Sequence, residues 1–255
     1  MLKIAVVQSN IIPDNKEQNL QHYKQLLSEN ISENIDILVL PEMFNCGFSS
    51  NVFQNAEQNN GISYSFLCDI SLEYNCDVVG TLPIFEENKL YNRLLWFSSG
   101  KVISQYDKHH LFIGEEKFFS SGKEKNIVES KGYKFLPLIC FDVRFPEWCR
   151  NTINNNAFAY DCLIFSTNFP SPRENELKIL ASARAIENQC YVIVANRIGN
   201  DGFGKSYSGG TFIVNPHGEI ETEFALHEEG VLIHSCNLNY LKILRNNFPV
   251  SKFWS

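Results

Sequence analysis

Two short polar breaks, Glu87-Asn88 and Ser98-Ser-Gly-Lys101, constrain the fold of this chain more than any other feature. They separate three apolar segments, residues 77–83, 90–97 and 102–107, each of strand length and composition. Breaks this short join antiparallel neighbours, because a parallel return needs a crossover of about a dozen residues or more. Elsewhere strand and helix patterns alternate. Residues 3–8 read as a strand, Lys16–Asn30 carries Leu20, Tyr23, Leu26 and Leu27 at helical spacing, and residues 35–40 read as a second strand. Residues 62–74 form a helical pattern with Phe66, Leu67 and Ile70 on one face. The second half repeats the scheme. Strand Tyr133–Ile139 precedes a helix starting near Phe145, and strand Cys162–Ser166 precedes a helix over Glu174–Asn188. Strands follow at Tyr191–Ala195, 209–214, 219–223 and 231–236, the second and third joined by the turn Asn215-Pro-His-Gly218, with a last helix near 239–245. This mixture excludes a purely parallel sheet. It predicts an α/β (α+β) chain, a pair of mixed sheets flanked by helices, in one domain over residues 1–255.

The remaining bulk properties mostly exclude. A net charge of −7 without any block of Lys and Arg argues against a nucleic-acid surface. No apolar stretch approaches the roughly 20 residues that span a bilayer, and Met1-Leu-Lys-Ile-Ala-Val-Val-Gln8 is a first strand rather than a secretory signal. The eight cysteines form no CxxC pair, which argues against zinc ribbons, thioredoxin-type chemistry and a disulfide-stapled fold. The expected setting is reduced and cytoplasmic. Apart from local asparagine richness at Asn154-Asn155-Asn156, no segment is of low complexity.

Three apolar strands end in a reactive side chain: Leu38-Val-Leu-Pro-Glu42, Gln105-Tyr-Asp-Lys108 and Leu136-Pro-Leu-Ile-Cys140. Strand ends at one sheet edge converge, so a carboxylate, an ammonium and a thiol are expected to meet. Read alone, each has a plain structural reading. Glu42 fits a solvated turn residue, Lys108 a surface charge beside solvent-facing or loop-capping His109 and His110, and Cys140 a buried filler. The expected helix from Phe145, with Pro146 and Glu147 in its first turn, places Cys140 near a helix N-terminus, a position that favours a thiolate. Asp142 and Arg144 read as braces for that turn, pairing with each other or with the adjacent helix.

Pro41-Glu-Met-Phe44, Tyr106-Asp-Lys-His-His-Leu-Phe112 and Leu138-Ile-Cys-Phe-Asp-Val-Arg-Phe-Pro-Glu147, taken in this order, resemble the three signature segments of the nitrilase, or carbon–nitrogen hydrolase, superfamily. Ala183-Arg-Ala-Ile-Glu-Asn-Gln189, Ala195-Asn-Arg197 and Asn215-Pro-His-Gly-Glu219 extend the likeness along the chain. Pro41-Glu-Met-Phe-Asn-Cys-Gly-Phe-Ser49 is most similar to the omega-amidase branch, whose members hydrolyse 2-oxoglutaramate and related monoamides of dicarboxylic acids. The resemblance implies a four-layer αββα sandwich, a Glu42–Lys108–Cys140 triad, no metal or organic cofactor, and a homodimer. It implies a second carboxylate after the lysine segment, for which Glu115 and Glu116 both qualify and counting back from Gly122 favours Glu115.

On this reading the substrate is a small amide of the 2-oxoglutaramate or 2-oxosuccinamate class. Cys140 forms a thioester, Glu42 carries protons, and Lys108 with the Phe141 backbone N–H holds the oxyanion. Arg173 is read either as a grip on a substrate carboxylate or as a solvent-facing or dimer-contact residue, and Phe44 and Phe48 as pocket walls or packing. The competing readings are an N-carbamoyl amide hydrolase, a short aliphatic amidase and a catalytically silent scaffold. A zinc or redox module has the least support.

Overall fold

Side chains along a strand point alternately to its two faces, and β1 (Leu2–Gln8) uses that alternation to build two cores at once. Leu2, Ile4 and Val6 enter one apolar cluster, Ala5 and Val7 another. In this computed structural model, which describes residues 1–154 and 157–254, β1 pairs in parallel with β2 (Ile37–Val39), and β2 with β3 (Asp77–Glu86). Asn155 and Asn156 of the asparagine-rich stretch lie outside the described residues. The strands β4 (Lys89–Ser98) and β5 (Lys101–Asp107) then follow as antiparallel hairpins. Each hairpin turns on two residues of positive φ, Glu87 (50°) with Asn88 (60°), and Ser99 (49°) with Gly100 (76°). That is the backbone whose twist matches the flanking strands.

The second sheet is built the same way. Its parallel centre is β7 (Tyr133–Ile139), β8 (Cys162–Ser166) and β9 (Tyr191–Ala195), flanked by β6 (Val128–Ser130) on β7 and by β10 (Phe212–Val214) with β11 (Ile220–Glu223) on β9. The last strand, β12 (Gly230–Cys236), returns to the first sheet and pairs antiparallel with β1. Each sheet therefore has six strands.

The expected sandwich of helices and sheets is what forms. Leu20, Tyr23, Leu26 and Leu27 of α1 (Lys16–Asn30) and Phe66, Leu67 and Ile70 of α2 (Ile62–Glu73) cover the outer face of the first sheet. Leu177, Ala181 and Ala185 of α3 (Glu174–Asn188) cover the second. Between the sheets Ile4, Val39, Val79 and Trp96 pack in one cluster with Phe135 and Ile139, and the rings of Trp96 and Phe135 lie 5.1 Å apart. Burying side chains of this kind contributes about 1.5–3 kcal/mol each. A last helix, α4 (Leu238–Asn247), is capped by the Asn237 side chain.

Several boundaries differ from the sequence reading. The third strand runs on to Glu86 because the tight hairpin lets Glu86 face Lys89. The strand expected over 209–214 begins only at Phe212, since Gly209 and Gly210 have φ of 99° and 87°. The edge strand β6, Val-Glu-Ser, is too short and polar to show a pattern. The helix expected from Phe145 is a single turn, Pro146–Cys149, and the residues from Cys140 to Arg144 form a 3-10 segment instead.

Candidate active site

Four strands end at one edge of the sandwich, two from each sheet. β2 leads to Glu42 and β5 to Lys108; β7 leads to Cys140 and β8 to Asn168. Glu42 is fully buried, and three donors leave one acceptor site on its carboxylate. Oε1 accepts from Lys108 Nζ at 2.7 Å and from Asn92 Nδ2 at 2.8 Å, and Oε2 accepts from the backbone N–H of Asn168 at 2.9 Å. Lys108, also buried, lies 2.9 Å from Oε2 of Glu115, which accepts in addition from the Phe112 N–H at 2.8 Å. Glu115 is buried, whereas Glu116 is exposed and bonds only the Gly114 N–H. The two candidates are thus separated by geometry: Glu115 reaches the lysine.

Two buried carboxylates bracket one ammonium, and the charges set the protonation. Burial works against the charge on Lys108, but Glu115 and Glu42 outweigh it and hold the ammonium above the usual lysine range. Burial pushes the Glu115 carboxyl up, against the pull of Lys108. Cys140 shares the cavity with all three. Burial, and next the charge of Glu42, push its thiol well above the ordinary cysteine range, while Lys108 and the Asn168 N–H offset only part of this. The resting thiolate expected from a helix N-terminus is therefore overturned. A five-residue 3-10 segment aligns few peptide dipoles, and burial together with the Glu42 charge prevails.

Cys140 has φ 41°, in the left-handed region, a conformation costing a non-glycine residue about 1–3 kcal/mol. This sharp exit from β7 puts the side chain on the cavity wall and opens a 3-10 segment whose first amides, Phe141 among them, have no partner within the segment.

Comparison with known proteins extends over the whole chain. The model of the carbon-nitrogen hydrolase family matches residues 3–246. An omega-amidase, YafV, of Yersinia enterocolitica is 34% identical over 97% of this chain and 94% of its own. A 2-oxoglutaramate amidase of Bacillus subtilis is 30% identical over 97% of this chain and 95% of its own. The solved structure of XC1258 from Xanthomonas campestris, a CN-hydrolase superfamily protein with an arsenic adduct in its active site, superposes with a TM-score of 0.95 at 31% identity, covering 100% and 97% of the two chains. The chain belongs to the carbon–nitrogen hydrolase family.

The remainder of this hydrolase's site holds the triad segments together. Asp142, two residues beyond Cys140, is buried and accepts from the Tyr106 hydroxyl at 2.6 Å, the His110 N–H at 3.1 Å, His110 Nδ1 at 2.8 Å and its own strand's Ile139 N–H at 3.1 Å. Tyr106 and His110 stand two residues either side of Lys108. Asp142 therefore rivets the cysteine turn to both flanks of the lysine. It does not pair with Arg144, which forms its ion pair with Glu176 of α3. His109 and His110 are half-buried rather than solvent-facing: His109 stacks on Trp148 at 3.9 Å and His110 on Phe145 at 3.6 Å. Gly122 lies against the carbonyl of Asp107, where a Cβ would stand 2.1 Å from that oxygen. Only glycine permits the Gly122 N–H to bond the Lys108 carbonyl at 3.0 Å there.

A cavity of about 400 Å³ opens over Cys140. Phe48, Phe112, Phe141 and Phe169 form its apolar walls, and Arg173 and Lys205 line it as well. Phe44 does not; it is buried under α1 and α2 against Tyr23 and Phe66. Among the described residues no group of three or more His, Cys, Asp or Glu side chains is placed to hold a metal ion.

Asn92 and Asn168 escaped the sequence reading. Asn92 had a signal, a lone amide inside the apolar run Leu90-Tyr-Asn-Arg-Leu-Leu, where a buried polar group demands a partner. Asn168 had none, since the group that meets the Glu42 carboxylate is its backbone N–H.

Proposed function

We propose that this hydrolase is a thiol amidase that cleaves the omega-amide of a small dicarboxylic monoamide, of the 2-oxoglutaramate or 2-oxosuccinamate class, to acid and ammonia. One observation carries the reading: a buried Glu42–Lys108–Glu115 ion chain beside the Cys140 side chain, in a cavity that also presents cations. The omega-amidase and 2-oxoglutaramate amidase relatives support the choice of substrate.

A thiol held this high does not ionise ahead of reaction. Its proton passes to Glu42 as the sulfur–carbon bond forms, while Lys108 and the Phe141 N–H receive the charge on the carbonyl oxygen. The three hydrogen bonds on Glu42 fix its carboxylate before substrate arrives. Protonated Glu42 then gives its proton to the nitrogen, the carbon–nitrogen bond breaks, and ammonia leaves a Cys140 thioester. Glu42 takes a proton from water as that water attacks the thioester. The carbon–sulfur bond breaks, the proton returns to sulfur, and the acid departs. Glu115 holds Lys108 from its far side and stands where a substrate amide would reach the triad.

The test is ammonia release over a panel of 2-oxoglutaramate, N-carbamoyl amino acids and short neutral amides. Preference for the first supports the reading; preference for N-carbamoyl compounds overturns the substrate and leaves the chemistry. The phenylalanine walls favour a second reading, a short aliphatic amidase, for which neutral amides would be the best substrates. Intact-mass detection of an acyl adduct on Cys140 during turnover tests the thioester.

A further inference from the structure

Arg173 and Lys205 come from different parts of the chain, the turn before α3 and the loop after Asp201, yet share one aromatic ring. The guanidinium of Arg173 lies 4.8 Å from the centre of Phe112, and Nζ of Lys205 lies 5.2 Å from the same centre. Among the described residues neither cation has an ion pair. The carboxylates near them are engaged elsewhere. Asp201 accepts from the Phe203 and Lys205 N–H groups, both at 2.9 Å, and from the Tyr207 hydroxyl at 2.8 Å. Glu174 is taken by Lys178 and Ser208, both at 3.0 Å. Arg173 Nε is buried with no hydrogen-bond partner.

Two cations that line one apolar cavity without a counter-ion leave it positively charged, and an anion entering it is attracted by both. Buried N–H groups without acceptors are rare in native proteins and call for an explanation. The loop carrying Lys205 is also fixed in advance: the buried Asp201 carboxylate gathers two of its amides and ties them to Tyr207. Lys205 is thus presented at the cavity rather than left to wander.

We infer that Lys205 is a specificity residue that acts with Arg173 to hold the carboxylate at the end of the substrate remote from its amide. This rests on the reading that the substrate carries such a carboxylate. Arg173 offers the paired N–H geometry that matches a carboxylate, and Lys205 adds a point charge on the side facing solvent. Neither side chain takes part in bond making.

The experiment compares glutaramate with pentanamide, the same chain with a methyl group in place of the carboxylate, in the wild type, Lys205→Gln and Lys205→Arg. For glutaramate, Lys205→Gln raises KM about tenfold, about 1.4 kcal/mol of binding, with kcat within about twofold. For pentanamide neither constant moves, and Lys205→Arg keeps the glutaramate preference. A change of equal size for both amides would show a structural role for the loop and overturn the inference, as would no change for either. A wild type that already favours pentanamide over glutaramate refutes the carboxylate reading itself, a result distinct from failure of Lys205 alone. The side chain is exposed, so unchanged thermal unfolding confirms that the variants fold.

Discussion

On the floor of the cavity Lys108 has a carboxylate on either side, whereas on its wall Arg173 and Lys205 have none among the described residues. The floor is buried, and nearly every polar atom of its charged groups is matched. The wall is partly open to solvent, and its cations rest on an aromatic ring. Matched buried charges cannot reorient without breaking strong hydrogen bonds, so the floor keeps one geometry with or without substrate. Unmatched cations near water cost little to leave alone and gain when an anion arrives. On the proposed reading, bond making and substrate choice fall to regions that a single substitution can separate.

Substitutions test that separation. The largest effect is expected for Cys140→Ala, which removes the proposed nucleophile. Turnover falls by at least about 10⁴-fold while the thermal transition stays in place. Measurable hydrolysis within tenfold of the wild type would erase the distinction at once. Next is Glu42→Gln, with a loss of about 10³-fold because the proton carrier is gone. Here the sign of the thiol shift gives a second readout. The Glu42 charge helps to raise the Cys140 thiol, so its removal lets the thiol ionise at lower pH. Alkylation of Cys140 by iodoacetamide, followed against pH, therefore shifts toward acid in the variant even as hydrolysis disappears. A shift toward base would break the account of the floor.

Asp142→Asn probes the rivet. An amide offers one acceptor oxygen where the carboxylate serves four donors, so the variant loses about 2 kcal/mol in urea unfolding and about tenfold in kcat, with KM little changed. Equal kcat with lowered stability would confine Asp142 to folding. Glu116→Gln is expected to do least, under about twofold in any constant, because its carboxylate faces solvent and meets only the Gly114 N–H. Sensitivity there beyond Glu115→Gln would place the second carboxylate wrongly.

Much of this architecture could be read from residue order. The hairpins at Glu87-Asn88 and Ser99-Gly100 follow from the short polar breaks Glu87-Asn88 and Ser98-Ser-Gly-Lys101, and the three strand-end side chains follow from apolar runs that stop abruptly. The parts that escaped depend on neighbours remote in sequence. The upward shift of the Cys140 thiol comes first from its burial and then from residues 42, 108 and 115, and no local pattern contains that surrounding. His110 looked like a surface histidine because its partner, Asp142, is 32 residues away. The helix expected from Phe145 failed for a local reason: the chain had already begun turning at Cys140, leaving one turn beyond Pro146.

Glu42 and Lys108 belong to one sheet, Cys140 and Asn168 to the other, and hydrogen bonds stitch the seam between them. Thr167 and Glu42 are bound backbone to backbone at 3.3 Å, Ser166 Oγ donates to the Leu40 carbonyl at 2.8 Å, and the Asn168 amide side chain donates to the Glu42 carbonyl at 2.9 Å. The reacting groups thus sit on opposite jaws of a vice whose alignment is set by the filling between them. Trimming a large residue in that filling, such as Trp96, would slacken the jaws everywhere at once. Catalysis would then fade on warming before the molecule melts, making enzymatic rate a finer gauge of sandwich integrity than any spectroscopic unfolding curve.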